Sequence, residues 1–345
     1  MKIIVDKAIP FIQGVFEPYV DEVVYKGGLE IGSEDVLDAE ALVIRTRTRC
    51  NEALLSGSKV RLIATATIGT DHIDLDWCHD NDILVRNAAG CNAGGVANYV
   101  FSALYGLAAR RGLKLDGATL GIVGVGNVGR RVENFARLLG FNVMRNDPPR
   151  AEAEGQHGFC SLDELLAGSD IVTMHVPLNP ETRGMADESF FMKMKPGAFF
   201  VNASRGEVVD EAALKSYMDK LGPVILDTWC NEPHPDPELV DMVNIATPHI
   251  AGYSYQGKQN GTAAAVRAVA RFFGIAELYE FFPAVENQDK EAVVLDLRGK
   301  TQGEIASIIQ YNYPIFTDDF MFRMHLDDFE RLRSEYNFRR EFYLE

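Results

Sequence analysis

The stretch Leu120–Gly140, LGIVGVGNVGRRVENFARLLG, decides the fold. An apolar run leads straight into Gly124, Gly126 and Gly129, and an amphipathic run follows, so a buried strand turns directly into a helix. Gly124 suits the tight turn, Gly126 lets a pyrophosphate approach the backbone, and Gly129 lets the helix lie close on the strand. Asn127 and Val128 open that helix, whose amide donors and positive dipole end face the phosphates. A bare GxGxxG is a weak signal, and its place between strand and helix strengthens it. So does Asp147 at the end of the next strand, where a carboxylate accepts hydrogen bonds from the adenosine ribose and repels a 2′-phosphate. The site is therefore read as NAD-binding, with Arg145 and Arg150 nearby as the features that favour NADP.

Working outward, the apolar runs Ile3–Val5, Ala41–Ile44, Leu62–Ala64 and Ile83–Val85 read as buried parallel strands before the glycine turn. A second series follows at Thr119–Val123, Asn142–Asn146, Ile171–His175, Ala198–Val201, Val224–Asp227 and Asn244–Ala246. Long apolar helices are predicted at Gly95–Arg111 and Tyr253–Phe273. The expected architecture is α/β, with two doubly wound parallel sheets. A Rossmann-type nucleotide domain (95–252) is inserted in a flavodoxin-like substrate domain (1–94 and 253–284). A small α+β segment (285–345) begins with the strand-like Ala292–Leu297 and a helix from Gln302.

The 345 residues exceed one ordinary core, and 47% hydrophobic with 24% charged residues is a globular composition. A net charge of −16 argues against a broad nucleic-acid or anionic-membrane surface, so an anionic substrate needs a local basic pocket. The five cysteines show neither CxxC pairing nor metal-ligand spacing, so no metal site is expected and a reducing cytosol fits. No export signal or membrane span is read.

Three further motifs follow predicted strands, at the sheet edge where such folds bind ligands: VNASRGEVVD, ILDTWCNEP and TPHIAG. Arg205 offers a planar fork of donors for a carboxylate. His249 is the natural acceptor for a hydroxyl proton, and Glu232 would fix its tautomer and raise its basicity. Singly, each has a bland reading as a salt-bridge partner, a core histidine or a turn acid.

Taken in order, GVGNVG, NASRGEVVD, LDTWCNEP and TPHIAG resemble the D-2-hydroxyacid dehydrogenase family over roughly Ile3 to Phe273. That resemblance implies Arg205, Glu232 and His249 as the catalytic triad. It also implies cofactor contacts at Asp227 and at the strand end His175–Pro177, including Val176. Asn98 departs from the family, which commonly has a glutamate there.

Within the family, ATATIGTDHID, GCNAGGVANYVF, NDPPRAE and TPHIAGYSYQGK resemble the members that oxidise 4-phospho-D-erythronate on the route to pyridoxal phosphate. This narrower resemblance implies substrate contacts at Thr46, Thr67 and Tyr253, a cofactor contact at Gly252, and a homodimer formed through the C-terminal segment. Arg45, Arg47, Arg49 and Lys258 are candidate counter-charges for the phosphate; the three arginines share one side if their strand continues. The alternatives are another activity of the family, on 3-phosphoglycerate or on glyoxylate and hydroxypyruvate, and an NAD-sensing regulatory protein.

Overall fold

The short apolar runs at the start of the chain form a parallel sheet in the computed structural model, which describes residues 1–284 and 288–345. The chain divides into two compact units, Met1–Asn92 with Tyr255–Glu291, and Ala93–Ser254 with Ala292–Glu345. In the first unit β1 (Lys2–Asp6), β2 (Glu22–Lys26), β3 (Ala41–Ile44), β4 (Leu62–Thr65) and β5 (Leu84–Asn87) align in the order β2-β1-β3-β4-β5. Every pairing is parallel.

Alternate residues of these strands serve opposite faces. Ile3, Val5, Val43, Leu62 and Ala64 pack with Ala265, Val266 and Val269 of the helix Tyr255–Phe273. Ile4, Leu42, Ile44 and Ile63 pack with Val36, Leu55 and Cys78 on the other side. Each buried valine, leucine or isoleucine among them contributes about 1.5–3 kcal/mol by leaving water. Four strands were expected here; the fifth, β2, lies at the sheet edge with its residues half-buried or exposed, so its apolar pattern is weak.

In the second unit β6 (Thr119–Val123), β7 (Asn142–Asn146), β8 (Ile171–Met174), β9 (Phe199–Asn202), β10 (Val224–Leu226) and β11 (Ile245–Ala246) form a parallel sheet ordered β11-β10-β9-β8-β6-β7. The chain runs from β6 to β7 on one side and then crosses to β8 on the other, so the strand order reverses at β6. Ligands of doubly wound sheets bind at that reversal, and the glycine turn follows β6.

The helix Ala93–Arg111 is buried from Ala93 to Ala108 because both its sides are covered. Ile122, Val132 and Phe135 pack in one cluster with it, and Ile309, Tyr313, Ile315 and Phe342 of the C-terminal residues join the same cluster. That C-terminal part carries a two-stranded parallel ribbon, β12 (Val293–Leu295) and β13 (Phe342–Leu344). Among the described residues no helix is long and apolar enough to cross a membrane.

Candidate active site

The glycine turn has the geometry its sequence demands. Gly124 sits at φ +85°, and a Cβ there would lie 2.8 Å from the His175 backbone; a Cβ at Gly129 would lie 2.2 Å from the Gly124 carbonyl oxygen. A side chain at either position would force β6, β8 and the helix Asn127–Leu138 apart. Gly126 faces open space within 4 Å, and the helix begins there with no side-chain cap, leaving its first amides to a ligand.

Asp147 follows β7 as expected. Its carboxylate accepts the Val125 N–H at 2.7 Å and the Arg150 N–H at 3.1 Å, which fixes its orientation beside the turn and leaves lone pairs for ribose hydroxyls. The two nearby arginines are committed elsewhere. Arg150 pairs with Glu154 at 2.6 Å and donates to the Val125 carbonyl, while Arg145 donates to the Gly158 carbonyl and covers the Phe159 ring. A 2′-phosphate would meet Asp147 without an uncommitted cation, so this edge suits NAD.

His175 directly follows the neighbouring strand β8. Its Nε2 meets the Thr173 hydroxyl at 3.0 Å, and its Nδ1 is buried without a hydrogen-bond partner. Burial alone pushes its pKa down to about 3, so the ring is neutral and cannot serve as a proton acceptor near neutral pH. The orphaned nitrogen beside the glycine turn, together with the open ground at Gly126, fits a bound dinucleotide. Val176 touches the same turn, its Cγ1 lying 2.9 Å from a Cβ at Gly124.

The loop after β9 holds Arg205. Asn202 accepts from the Ser204 backbone and hydroxyl and donates to the Arg205 carbonyl at 2.9 Å, so the chain is pinned on both sides of the arginine. Gly206 then packs where no side chain fits: a Cβ would lie 1.9 Å from the Trp229 carbonyl carbon. This contact joins the Arg205 loop to the loop after β10 that carries Glu232.

Glu232 and His249 meet directly. Glu232 Oε2 lies 2.8 Å from His249 Nδ1, and Oε1 accepts the Trp229 N–H at 3.1 Å. Burial by itself raises the Glu232 carboxyl, but the His249 charge and hydrogen bond, Arg333 and the Trp229 N–H together bring it below its ordinary value. With Nδ1 engaged, Nε2 is the ring nitrogen of His249 left for a further partner.

His249 adopts φ +57°, a left-handed conformation that costs a non-glycine residue about 1–3 kcal/mol. Asp227 holds it there. The buried Asp227 accepts from the Thr247 hydroxyl at 2.7 Å and from the Ile250 and Ala251 amides at 2.8 and 2.9 Å, while its backbone carbonyl accepts the His249 N–H. Burial raises the Asp227 carboxyl, and the four groups that face it oppose that rise. Asp227 thus organises the histidine turn. Asn202, Gly206 and Thr247 lie inside the quoted motifs but were not singled out, because their work is backbone fixation rather than chemistry.

Gly252 and Tyr253 close the turn, with the Tyr253 N–H donating to the Ile250 carbonyl. The Tyr253 ring meets Tyr336 and Phe338 edge-on at centroid distances of 6.0 and 6.1 Å. In the first unit Thr67 follows β4, its hydroxyl 2.7 Å from that of Thr65, and Thr46 is exposed in the turn after β3. The expectation that Arg45, Arg47 and Arg49 line one side is corrected here. β3 ends at Ile44 and the chain turns over 46–48, so the two-residue alternation stops. Arg45 instead donates to the fully buried Asp6 at 3.1 Å. Lys258 lies in the helix Tyr255–Phe273 of this unit.

Asn98 has a structural reason. It is 1% exposed, and its side chain donates to the Phe342 carbonyl at 2.8 Å and accepts the Phe342 N–H at 2.9 Å. The amide pairs with β13 as a strand neighbour would; a carboxylate could accept there but not donate.

Residues 99–251 match the domain family described as D-isomer specific 2-hydroxyacid dehydrogenase, NAD binding domain. The chain is 46% identical to the erythronate-4-phosphate dehydrogenase of Bacteroides fragilis over 99% of its own length and 97% of that protein's. Among solved structures it is similar to the NAD-bound 3-phosphoglycerate dehydrogenase of Entamoeba histolytica, at 27% identity and a TM-score of 0.68 over 80% of this chain and 96% of that one. It is also similar to the D-lactate dehydrogenase of Aquifex aeolicus in complex with NAD and lactic acid, at 26% identity and a TM-score of 0.66 over 83% and 100% of the two chains.

Proposed function

The chain belongs to the D-2-hydroxyacid dehydrogenase family, and from that premise we propose that it oxidises 4-phospho-D-erythronate at carbon 2 to 2-oxo-3-hydroxy-4-phosphobutanoate, a step towards pyridoxal 5′-phosphate. The observation that carries this reading is the likeness to erythronate-4-phosphate dehydrogenase along 99% of the chain, C-terminal segment included. The His249–Glu232 pair supplies the chemistry that the reading needs.

NAD, when bound at the glycine turn, supplies the hydride acceptor. The protein's own residues bind, orient and move the proton. Arg205 takes the substrate carboxylate in a bidentate grip, which sets carbon 2 and its hydroxyl in place. His249 Nε2 accepts the hydroxyl proton, and the Glu232 carboxylate stabilises the imidazolium that forms. An arginine cannot serve as the base, because its pKa is too high. Thr46, Thr67 and Tyr253 are the proposed partners of the substrate's remaining oxygens.

Two further readings accompany the activity. The C-terminal helices expose Tyr311, Phe320, Met321 and Met324, apolar surface that a second copy of the chain would cover, which supports a homodimer. Light scattering at micromolar concentration reads that state. The five free cysteines suit a reducing cytosol.

The direct assay is NADH formation from 4-phospho-D-erythronate, with 3-phosphoglycerate, glycolate and D-lactate as controls. Turnover at least tenfold faster, as kcat/KM, on the four-carbon phosphate is the expected result. Preference for 3-phosphoglycerate, or NAD binding without turnover of any 2-hydroxy acid, would contradict it.

A further inference from the structure

The C-terminal segment half-buries several arginines, and one of them is unlike the rest. Arg323 donates to Asp319 at 2.9 Å and to the Val240 and Val243 carbonyls, and Arg339 pairs with Asp318 through both terminal nitrogens. Each therefore has several acceptors within the protein, a carboxylate among them. Arg333, on the helix Phe329–Ser334, is 17% exposed, yet its Nε is buried with no hydrogen-bond partner. The nearest carboxylate oxygen, on Glu330, stands 4.0 Å from Nη1, beyond hydrogen-bonding range.

The setting of Arg333 is the histidine corner. Its guanidinium lies 5.9 Å from the Tyr253 ring centroid and 5.7 Å from that of Phe329, two aromatic faces that hold a planar cation without supplying an acceptor. The carboxylates that act on its charge are those of Glu232, Glu330 and Asp227, the first and last of them on the loop after β10 that meets His249. A pre-positioned fork of donors that its own protein leaves short of an acceptor, placed beside a substrate site, is suited to an anionic oxygen of the ligand. Arg205 already serves the carboxylate, which leaves the phosphate. Arg333 lies outside residues 99–251, the part matched to the family's NAD-binding domain.

We propose that Arg333 binds the phosphate of the substrate and so selects a phosphorylated four-carbon acid over its unphosphorylated counterpart. This rests on the proposed activity. The C-terminal segment thereby becomes part of the substrate site.

The test uses the full-length protein with Arg333→Met and Arg333→Lys. It compares kcat/KM for 4-phospho-D-erythronate with the competitive inhibition constants of D-erythronate and of inorganic phosphate. For Arg333→Met the expected result is a loss of about 10- to 100-fold in kcat/KM, carried by KM, with an equal weakening of phosphate inhibition. D-erythronate inhibition stays within about twofold, which also reports an intact fold, and Arg333→Lys recovers part of the loss. If D-erythronate inhibition weakens as much as phosphate inhibition, or if kcat falls with KM unchanged, Arg333 does not bind the phosphate. A wild-type protein with no activity on 4-phospho-D-erythronate would instead sink the activity itself, and the phosphate assignment with it.

Discussion

Two histidines sit just beyond the ends of strands in one parallel sheet, and their surroundings give them opposite chemistry. His175, after β8, is buried beside a threonine hydroxyl, and nothing offsets the loss of water, so its pKa drops to about 3. His249, after β11, is 28% exposed and holds a carboxylate at 2.8 Å. The first is neutral near neutral pH and offers a fixed hydrogen-bonding nitrogen. The second has its Nδ1 held by a carboxylate, which leaves Nε2 placed to meet a hydroxyl proton. A strand end thus places a group at the ligand edge, and the partner decides what the group does.

Substitutions at these two corners can break the comparison. The largest effect belongs to His249→Ala, expected to lower kcat by about 10³- to 10⁴-fold with NAD affinity retained, read by steady-state kinetics and cofactor fluorescence. Near-normal turnover would remove His249 as the base. Glu232→Gln keeps the shape but loses the charge that stabilises the imidazolium, so kcat falls by about 10²-fold.

His175→Leu sharpens the other side of the comparison. A histidine whose folded pKa is about 3 against an ordinary 6.5 binds fewer protons when folded, so it costs stability as pH falls from 6.5 towards 3. Urea unfolding across that window should show a shallower acid decline in the variant than in the wild type. Parallel declines would mean that His175 titrates normally. Glu232 runs in the same sense, because its folded pKa is lowered too. With its folded pKa lowered, it contributes stability above its unfolded value that is lost only as pH falls through the folded one. Smallest is Asn98→Ala, which strands the Phe342 backbone groups and should lower unfolding free energy by about 1–3 kcal/mol in a denaturant titration.

What the sequence revealed follows the same division between local and distant causes. Gly124, Gly129, Asp147, Arg205, Glu232 and His249 were legible because each lies in a short motif directly after a strand, where chain order fixes the geometry. The role of Asp227 was only half legible. Its place after β10 was plain, but its grip on Thr247, Ile250 and Ala251 depends on two strands lying side by side. The edge strand β2 escaped because a half-exposed EVVYK carries little apolar contrast. Asn98 with Phe342, and Arg333 with Tyr253, were out of reach altogether, since their partners come from distant sequence and the C-terminal tail has no motif to announce them.

The most direct test is the pH dependence of kcat/KM for 4-phospho-D-erythronate in the wild type, His249→Asn and His175→Asn, following residual NADH formation. The expected result is an acid limb in the wild type that survives in His175→Asn and is lost, with most of the rate, in His249→Asn. An acid limb that persists in His249→Asn, or that disappears in His175→Asn, would contradict it.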